Sequence, residues 1–360
     1  MSELIEVVAL VERMIPNVGA LIPGETMALD PDLAAQLSDQ GIVEIKKTSP
    51  ARKSKTGPAD TSTDSASGYV EAMSENLSTT LDRFETRNII GRLSEGDDSA
   101  FLERNQGQIM FNGFANPLGF FLNHGCGSRS TTDVLSGFIY QHVFTMSPDD
   151  WDSSFAMRPL TFEMFRDVTS AQRYSGANIG GLTLALAPNQ GLQVTASVIA
   201  KAVSQLAKTT PSYSNSPTQP FTFETASISI GGTATALIEG FTSNINHSLE
   251  GIPSLNNSTT IRAIRRSGVQ TIRLSGNLAF ENITEMEAFR NQTEQRFVMS
   301  LTRGASYQLI QDFPRVVYTT FAPVMAGRDR IVVGFEGIAR YHTGSGNAMK
   351  ITLTNNQSGY

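Results

Sequence analysis

The chain is poor in the residues that carry chemistry. Its single cysteine, Cys126, excludes an intramolecular disulfide framework and any multi-cysteine zinc site. There are four histidines, His124, His142, His247 and His342, and none belongs to a His-x-x-x-His or Glu-flanked metal pattern. Trp151 is the only tryptophan, which leaves little for the aromatic platforms that hold sugars. Charged residues make up 17% of the chain, against about 25% in an average domain, and Ser, Thr, Asn, Gln and Gly take their place. The longest apolar stretches, such as 179–188, fall short of the ~18 residues that a membrane-spanning helix needs. Glu3 and Glu6 stand where a secretory signal carries cations, so the protein is expected to be made in the cytoplasm and to stay soluble there. A formal net charge of −6 argues against a surface that grips nucleic-acid phosphates, though not against one that lets nucleic acid pass.

Catalytic patterns are missing as well. No Gly-x-Ser-x-Gly elbow, phosphate loop or dinucleotide fingerprint is present. His124-Gly125-Cys126 places a base two residues from a thiol, but after a helix end this reads as a chain turn. The acidic pairs Asp97-Asp98 and Asp149-Asp150 read as solvated turns rather than calcium ligands. Asn-x-Ser/Thr triplets at Asn76, Asn246, Asn257, Asn282 and Asn291 follow from composition. Arg262, Arg265 and Arg266, beside Gly268, form the densest basic spot of the β region. They read as inter-subunit ion pairing at a hairpin end ahead of nucleic-acid contact. No catalytic residue, metal site or cofactor is expected, and the chain is not expected to be an enzyme.

What the sequence does hold is a β-rich unit written twice. One copy runs from Leu81 to Lys208 and the other from Phe221 to the C-terminus. Each contains a glycine-punctuated strand leading into a short helix. In the first, 108–115 with Gly113 leads into Asn116-Pro117-Leu118-Gly119-Phe120-Phe121-Leu122. In the second, 271–280 with Gly276 leads into Asn282-Ile283-Thr284-Glu285-Met286-Glu287-Ala288-Phe289. Duplication at this scale suits paired, repeated surfaces, as in ring or fibre assembly, better than one catalytic cleft.

The organisation follows from this. Residues 1–47 form a small α+β unit: Ile5, Val7, Ala9 and Val11 alternate as a strand, Pro23-Gly24 marks a turn, Asp30 caps a helix that Gly41 ends, and 42–45 returns as a strand. Residues 48–68 are a flexible linker whose Arg52, Lys53 and Lys55 read as solvated charge. Two β domains follow, 69–215 and 216–360, with Pro211, Pro217 and Pro220 between them. Strands are expected at 84–90, 108–115, 140–146, 160–165, 182–187 and 192–199. In the second unit they are expected at 227–230, 236–245, 260–264, 271–280, 296–301, 307–310, 315–321, 331–341 and 349–354. In 271–280, Ile272, Leu274, Leu278 and Phe280 share one face, and Thr271, Arg273, Ser275 and Asn277 the other. Polar excursions at 93–106 and 246–259 precede the helix-bound strand in each unit and read as docking arms. The fold class is mainly β: two tandem sandwich or barrel domains, each flanked by a helix.

Five stretches then carry a resemblance. They are Phe84-Glu85-Thr86-Arg87-Asn88-Ile89-Ile90-Gly91-Arg92 with the Gly113 strand; Leu160-Thr161-Phe162-Glu163 with Tyr174-Ser175-Gly176-Ala177-Asn178-Ile179; Pro220-Phe221-Thr222-Phe223-Glu224; Gly240-Phe241-Thr242-Ser243-Asn244-Ile245-Asn246-His247-Ser248-Leu249; and Asp329-Arg330-Ile331-Val332-Val333-Gly334-Phe335-Glu336 with Ile351-Thr352-Leu353-Thr354-Asn355. Over 69–360 the chain resembles the tail tube proteins of long, non-contractile-tailed bacteriophages, in the form with two tandem tube domains. Residues 1–47 lie outside that pattern. The resemblance implies rings stacked into a tube around a channel that duplex DNA transits without specific binding, and two β units per chain make trimeric rings, with six barrels each, the expectation. It also implies a tape measure protein, a tail terminator and distal tail or baseplate proteins as partners, a place in the virion tail, and no membrane. The competing reading is a virion surface or decoration protein, a β-sandwich with a carbohydrate-binding role.

Overall fold

A computed structural model describes five short strands before residue 46 and then residues 68–85, 98–146, 158–166, 170–208, 210, 219–255, 258–281, 283–304, 306–321, 323 and 330–360. The chain divides into two compact units, Met1–Gly57 and Pro58–Tyr360. The first carries β1 (Ile5–Ala9), β2 (Arg13–Ile15), β3 (Gly19–Leu21), β4 (Thr26–Leu29) and β5 (Val43–Ile45). β1 pairs antiparallel with both β4 and β5, and β2 with β3. The expected strands at both ends of this unit are present. The helix expected from Asp30 and the basic linker residues Arg52, Lys53 and Lys55 lie outside the described residues.

The second unit begins with β6 (Ala72–Glu75), β7 (Ser78–Glu85), β8 (Asp98–Asn112), helix α1 (Ala115–Gly125), β9 (Ser128–Leu135), β10 (Ile139–Thr145) and β11 (Leu160–Met164). It continues with β12 (Ser170–Leu186), β13 (Gln193–Ala200), β14 (Ala202–Ala207), β15 (Ala226–Ile230), β16 (Thr233–Thr235) and β17 (Ile238–Asn246). β18 (Leu249–Ile252), β19 (Ala263–Arg266), β20 (Thr271–Ala279), helix α2 (Thr284–Arg290), β21 (Gln295–Arg303), β22 (Tyr307–Phe321), β23 (Val332–Ala339) and β24 (Lys350–Asn355) complete it. The fold is mainly β and antiparallel.

Two sheets organise these strands. The first runs β6–β7, β8, β13, the C-terminal half of β12, β17, β20, β23 and the C-terminal half of β22. The second runs β9, β10, β24, the N-terminal half of β22, β21, β15 and β16. β11, the N-terminal half of β12 and β14 form a smaller group.

The ladders repeat residue for residue. Asn246↔Thr271 stands in β17/β20 where Thr80↔Arg104 stands in β7/β8, and the bulge between Ile238 and Gly240 matches that between Ala72 and Ser74. The bulge between Tyr318 and Thr320, against β23, matches that between Ile179 and Gly181, against β13. Gln295↔Val316 and Phe297↔Phe313 stand where Leu160↔Ala177 and Phe162↔Tyr174 do. A bulge disrupts its ladder and is kept only where the fold uses it. Bulges at three matching places therefore show one strand plan used twice.

Side-chain alternation explains why these segments are strands. In β13, Val194, Ala196, Val198 and Ala200 are buried while the residues between them are half-exposed. In β20, Ile272, Leu274 and Leu278 are buried and Arg273 and Asn277 exposed, as the sequence alternation predicts. Apolar burial at roughly 25 cal/mol per Å² is the main stabilising term. Here it falls on one contiguous core in which Phe111 and Phe121 lie 4.3 Å apart and Tyr318 meets Phe335 edge-on. Helix α1 is buried on nearly every side. At Gly119 an added Cβ would meet the Tyr360 ring at 2.1 Å, so a larger residue there would displace that ring.

Several expectations are corrected. The excursion at 93–106 is not a loop beyond residue 98: Asp98–Asn112 is one 15-residue strand. Its first part buries only Leu102, and it is held by the ladder to β7 and by cross-strand ion pairs, Arg83–Asp98 and Arg104–Asp82. Likewise 246–259 contains β18, paired with β19. The strands expected at 307–310 and 315–321 are one strand, because Pro314 falls at a bulge, where its missing N–H breaks no ladder bond. β12 begins at Ser170, well before the expected 182.

Candidate self-association edges

The two repeats of the strand plan are joined edge to edge inside the chain. β12 pairs with β17 from Gly181↔Asn246 to Leu186↔Phe241. Asn244 Nδ2 donates to Thr183 Oγ1 at 2.9 Å across this seam, and the His247 backbone N–H donates to Gly180 O at 2.9 Å. The His247 ring lies against the end of α1, with Nε2 donating to Gly125 O at 2.7 Å. A Cβ on Gly181 would meet Ile245 O at 2.8 Å, so the close approach of the strands depends on that glycine. A second seam joins β10 to β24. There the buried His142 contacts Thr131 Oγ1, Asn355 Oδ1 and Gln357 O at 2.9, 3.2 and 2.9 Å, and Asn355 Nδ2 donates to Ala115 O at 2.9 Å.

At the two ends of the first sheet the same edges stand open. Among the described residues, β6 is laddered only to β8, and residues 317–321 of β22 only to β23. Met73 on β6 is 53% exposed, and Thr319 and Thr320 on β22 are exposed. By the repeated register, β6–β7 is the counterpart of β17, and this half of β22 is the counterpart of the half of β12 that β17 covers. Unpaired edges of this kind are templates for pairing with another chain.

The arms extend from these edges. The β7/β8 hairpin carries Phe84 and Phe101, 61% and 68% exposed, at its outer part. The β18/β19 pair lies beside it: Glu103 N–H donates to Thr259 O at 2.8 Å, and Ile261 is buried. The chain bends into β18 at Ser248, whose positive φ of 50° is held by its N–H donating to Asn246 Oδ1 at 2.8 Å.

One face of the first sheet is mostly polar, with few charges. Cross-strand partners share a face, and one row runs Met110, Thr195, Thr183, Asn244, Arg273, Ile338. The next row begins at Asn112 and Gln193 and ends at Ser275, Glu336 and Thr320. Arg273 and Glu336 are the only charges in these two rows.

Of the described residues weighed for chemistry, His247 alone reaches the His124-Gly125-Cys126 segment, and it does so through the Gly125 carbonyl. Burial pushes the Cys126 thiol up to about 12, which removes its nucleophilic form at neutral pH. His124 lies against Phe120, its Nδ1 3.0 Å from Arg158 O, and burial lowers its pKa. His342 sits in a turn with Ser345. Among the described residues, no group of three or more His, Cys, Asp or Glu is placed to hold a metal ion. Asp98 is paired with Arg83, while Asp97, Asp149, Asp150 and Trp151 lie outside the described residues. Asn76 accepts the Gln108 N–H at 2.6 Å. Arg262 and Arg265 are exposed on and beside β19, and Arg266 is half-buried there. Sequence reasoning missed the open edges and the anchor at Asn355, whose Nδ2 also donates to the Tyr360 hydroxyl; only the Gly180-Gly181 pair signalled a close strand approach.

The duplicated β unit thus makes two seams within the chain and, among the described residues, leaves the counterpart edges of the first seam unladdered. A family model for phage tail tube proteins matches residues 56–354. The chain belongs to the phage tail tube protein family, a family of structural components of the virion tail. No curated protein matches it. Among the described residues, no helix is long and apolar enough to cross a membrane.

Proposed function

We propose that the chain is a tail tube subunit with two tandem tube domains, and that three copies close into a ring of six. Such rings stack into a tube around a channel for DNA, assembling in the host cytoplasm. The observation that carries this reading is the β12–β17 seam. The ladder offsets turn Gly181↔Asn246 into Thr320↔Thr80 and Leu182↔Ile245 into Phe321↔Thr79, now between two copies. The polar face of the first sheet then lines the channel. A wall with one cation and one anion in two rows of each chain gives a duplex, at about one charge per 1.7 Å, little to bind. The outer parts of the arms, with Phe84, Phe101 and Leu255 exposed, supply the contacts between rings, to which the Arg262–Arg266 region adds ion pairs. A tape measure protein, a terminator and distal tail proteins bind the assembled tube.

The test is a cross-link. Cys126 is buried, so introduced thiols report cleanly. With Thr80→Cys and Thr320→Cys in one chain, oxidation of assembled material is expected to give a ladder that stops at three chains, with rings or tubes in negative stain. A ladder that runs to six rules out the ring of three chains, and thiols that stay free in intact rings rule out this register.

A further inference from the structure

We propose that Leu81 seats each copy on its neighbour, in the place that His247 holds inside the chain. The inference rests on the ring reading above. The register places Phe241, Ser243, Ile245 and His247, the inward row of β17 and its extension, in the positions of Glu75, Leu77, Thr79 and Leu81. Alternate strand residues share a face, so each set of four forms one row.

The two rows meet different fates. All four residues of the β17 row are buried: Phe241 and Ser243 meet Phe313 and Gln311 of β22, and His247, at 1% exposure, has the end of α1 and the bulge of β12 beneath it. In the other row only Leu77 is buried. Thr79 is exposed and Leu81 is 49% exposed, although both continue the inward-facing row of their strand. The row runs out past its own core, and the missing floor is what the preceding repeat supplies to β17. A second copy docked by the same seam provides that floor: its Thr319 O takes the Leu81 N–H as Gly180 O takes that of His247, and the C-terminal end of its α2 takes the side chain. Its Thr319 and Thr320 are exposed for this contact. A leucine suits the position because the contact forms on association and needs no buried polar partner.

The test uses the full chain with Leu81→Glu, Leu81→Met and Leu81→Cys, read by light-scattering mass and negative stain. Leu81→Glu is expected to fold and melt like the parent, since the residue is half-exposed in the single chain. Its threshold concentration for ring formation should rise about tenfold or more, leaving single chains, while Leu81→Met assembles. Leu81→Cys should react with a maleimide in single chains and be protected in rings, a reading that survives if the glutamate variant misfolds. Rings of Leu81→Glu that form normally, or that form and fail only to stack, overturn the proposal, as does a thiol equally reactive in rings. If those rings still give the Thr80–Thr320 cross-link, the ring reading stands and this inference alone falls. A parent chain that forms neither rings nor that cross-link removes both.

Discussion

At His247 the chain holds a buried imidazole that donates through Nε2 and has no hydrogen-bond partner at Nδ1. Burial pushes its pKa from 6.5 down to about 4, against the opposing bond to Gly125, and the nearby Arg266 adds to the lowering. A lowered value means that the unfolded chain takes up the proton first. The stabilisation is therefore full above pH 6.5, falls as pH drops from 6.5 toward 4, and changes no further below that. The window corresponds to about 3 kcal/mol. His124, also lowered by burial, acts in the same direction. Glu75 acts at lower pH, because hydrogen bonding to Arg166 holds its carboxyl below the usual range and its contribution is lost only as pH falls through that depressed value. Thermal melts of the single chain should show a clear drop in midpoint between pH 7 and pH 4.5. His247→Gln, which keeps a donor for Gly125 O, should reduce that drop; an unchanged drop would place the titrating group elsewhere.

At the scale of elements, the β7/β8 hairpin is held by its ladder and ion pairs rather than by a core, so its outer aromatics are dispensable for folding. Phe84→Ser with Phe101→Ser should leave the melting midpoint within about 2 °C of the parent, since exposed substitutions change stability little. In the proposed tube they should leave rings that do not stack, seen in negative stain as single discs; normal tubes would free the arm of that role. The same hairpin marks the limit of what the sequence shows. Where one strand face meets the core, as at Ile272, Leu274 and Leu278, alternation gave the strand and its orientation. Where neither face carries an apolar row, as at Glu103, Arg104, Asn105 and Gln106, there is no apolar period to read, and pairing with β7, joined from Asn105 by β13, makes the strand. The gap expected between 310 and 315 is not there, because a bulge that absorbs Pro314 is visible only in the ladder. The open edges were hidden for a related reason. Nothing in Thr79, Thr80 or Leu81 distinguishes a free strand edge from a paired one, and the correspondence with Ile245, Asn246 and His247 appears only once the registers are laid side by side.

At the scale of the whole molecule, the proposed channel wall is defined by its low charge. Replacing Thr195, Thr242 and Ser275, all on the polar face of the first sheet, by lysine would add cations in every chain without touching the core. Tubes of this variant are expected to retain duplex DNA at low salt and release it as salt rises, since each neutralised phosphate steepens the salt dependence by about 0.9. Retention equal to that of the parent would mean that this face does not line the channel.

The β10–β24 seam has its own consequence for how the chain is made. His142 and Asn355 are 213 residues apart and meet directly. The edge of β10 therefore stays uncovered while the intervening chain leaves the ribosome, and contacts of such high order form slowly. Through that interval the nascent protein carries an unpaired edge beside an unfinished helix pocket, the state most exposed to association with other chains. Arrival of the last strand and of Tyr360 against Gly119 ends the exposure. Folding of the subunit is thus timed by the arrival of β24 at the edge of β10.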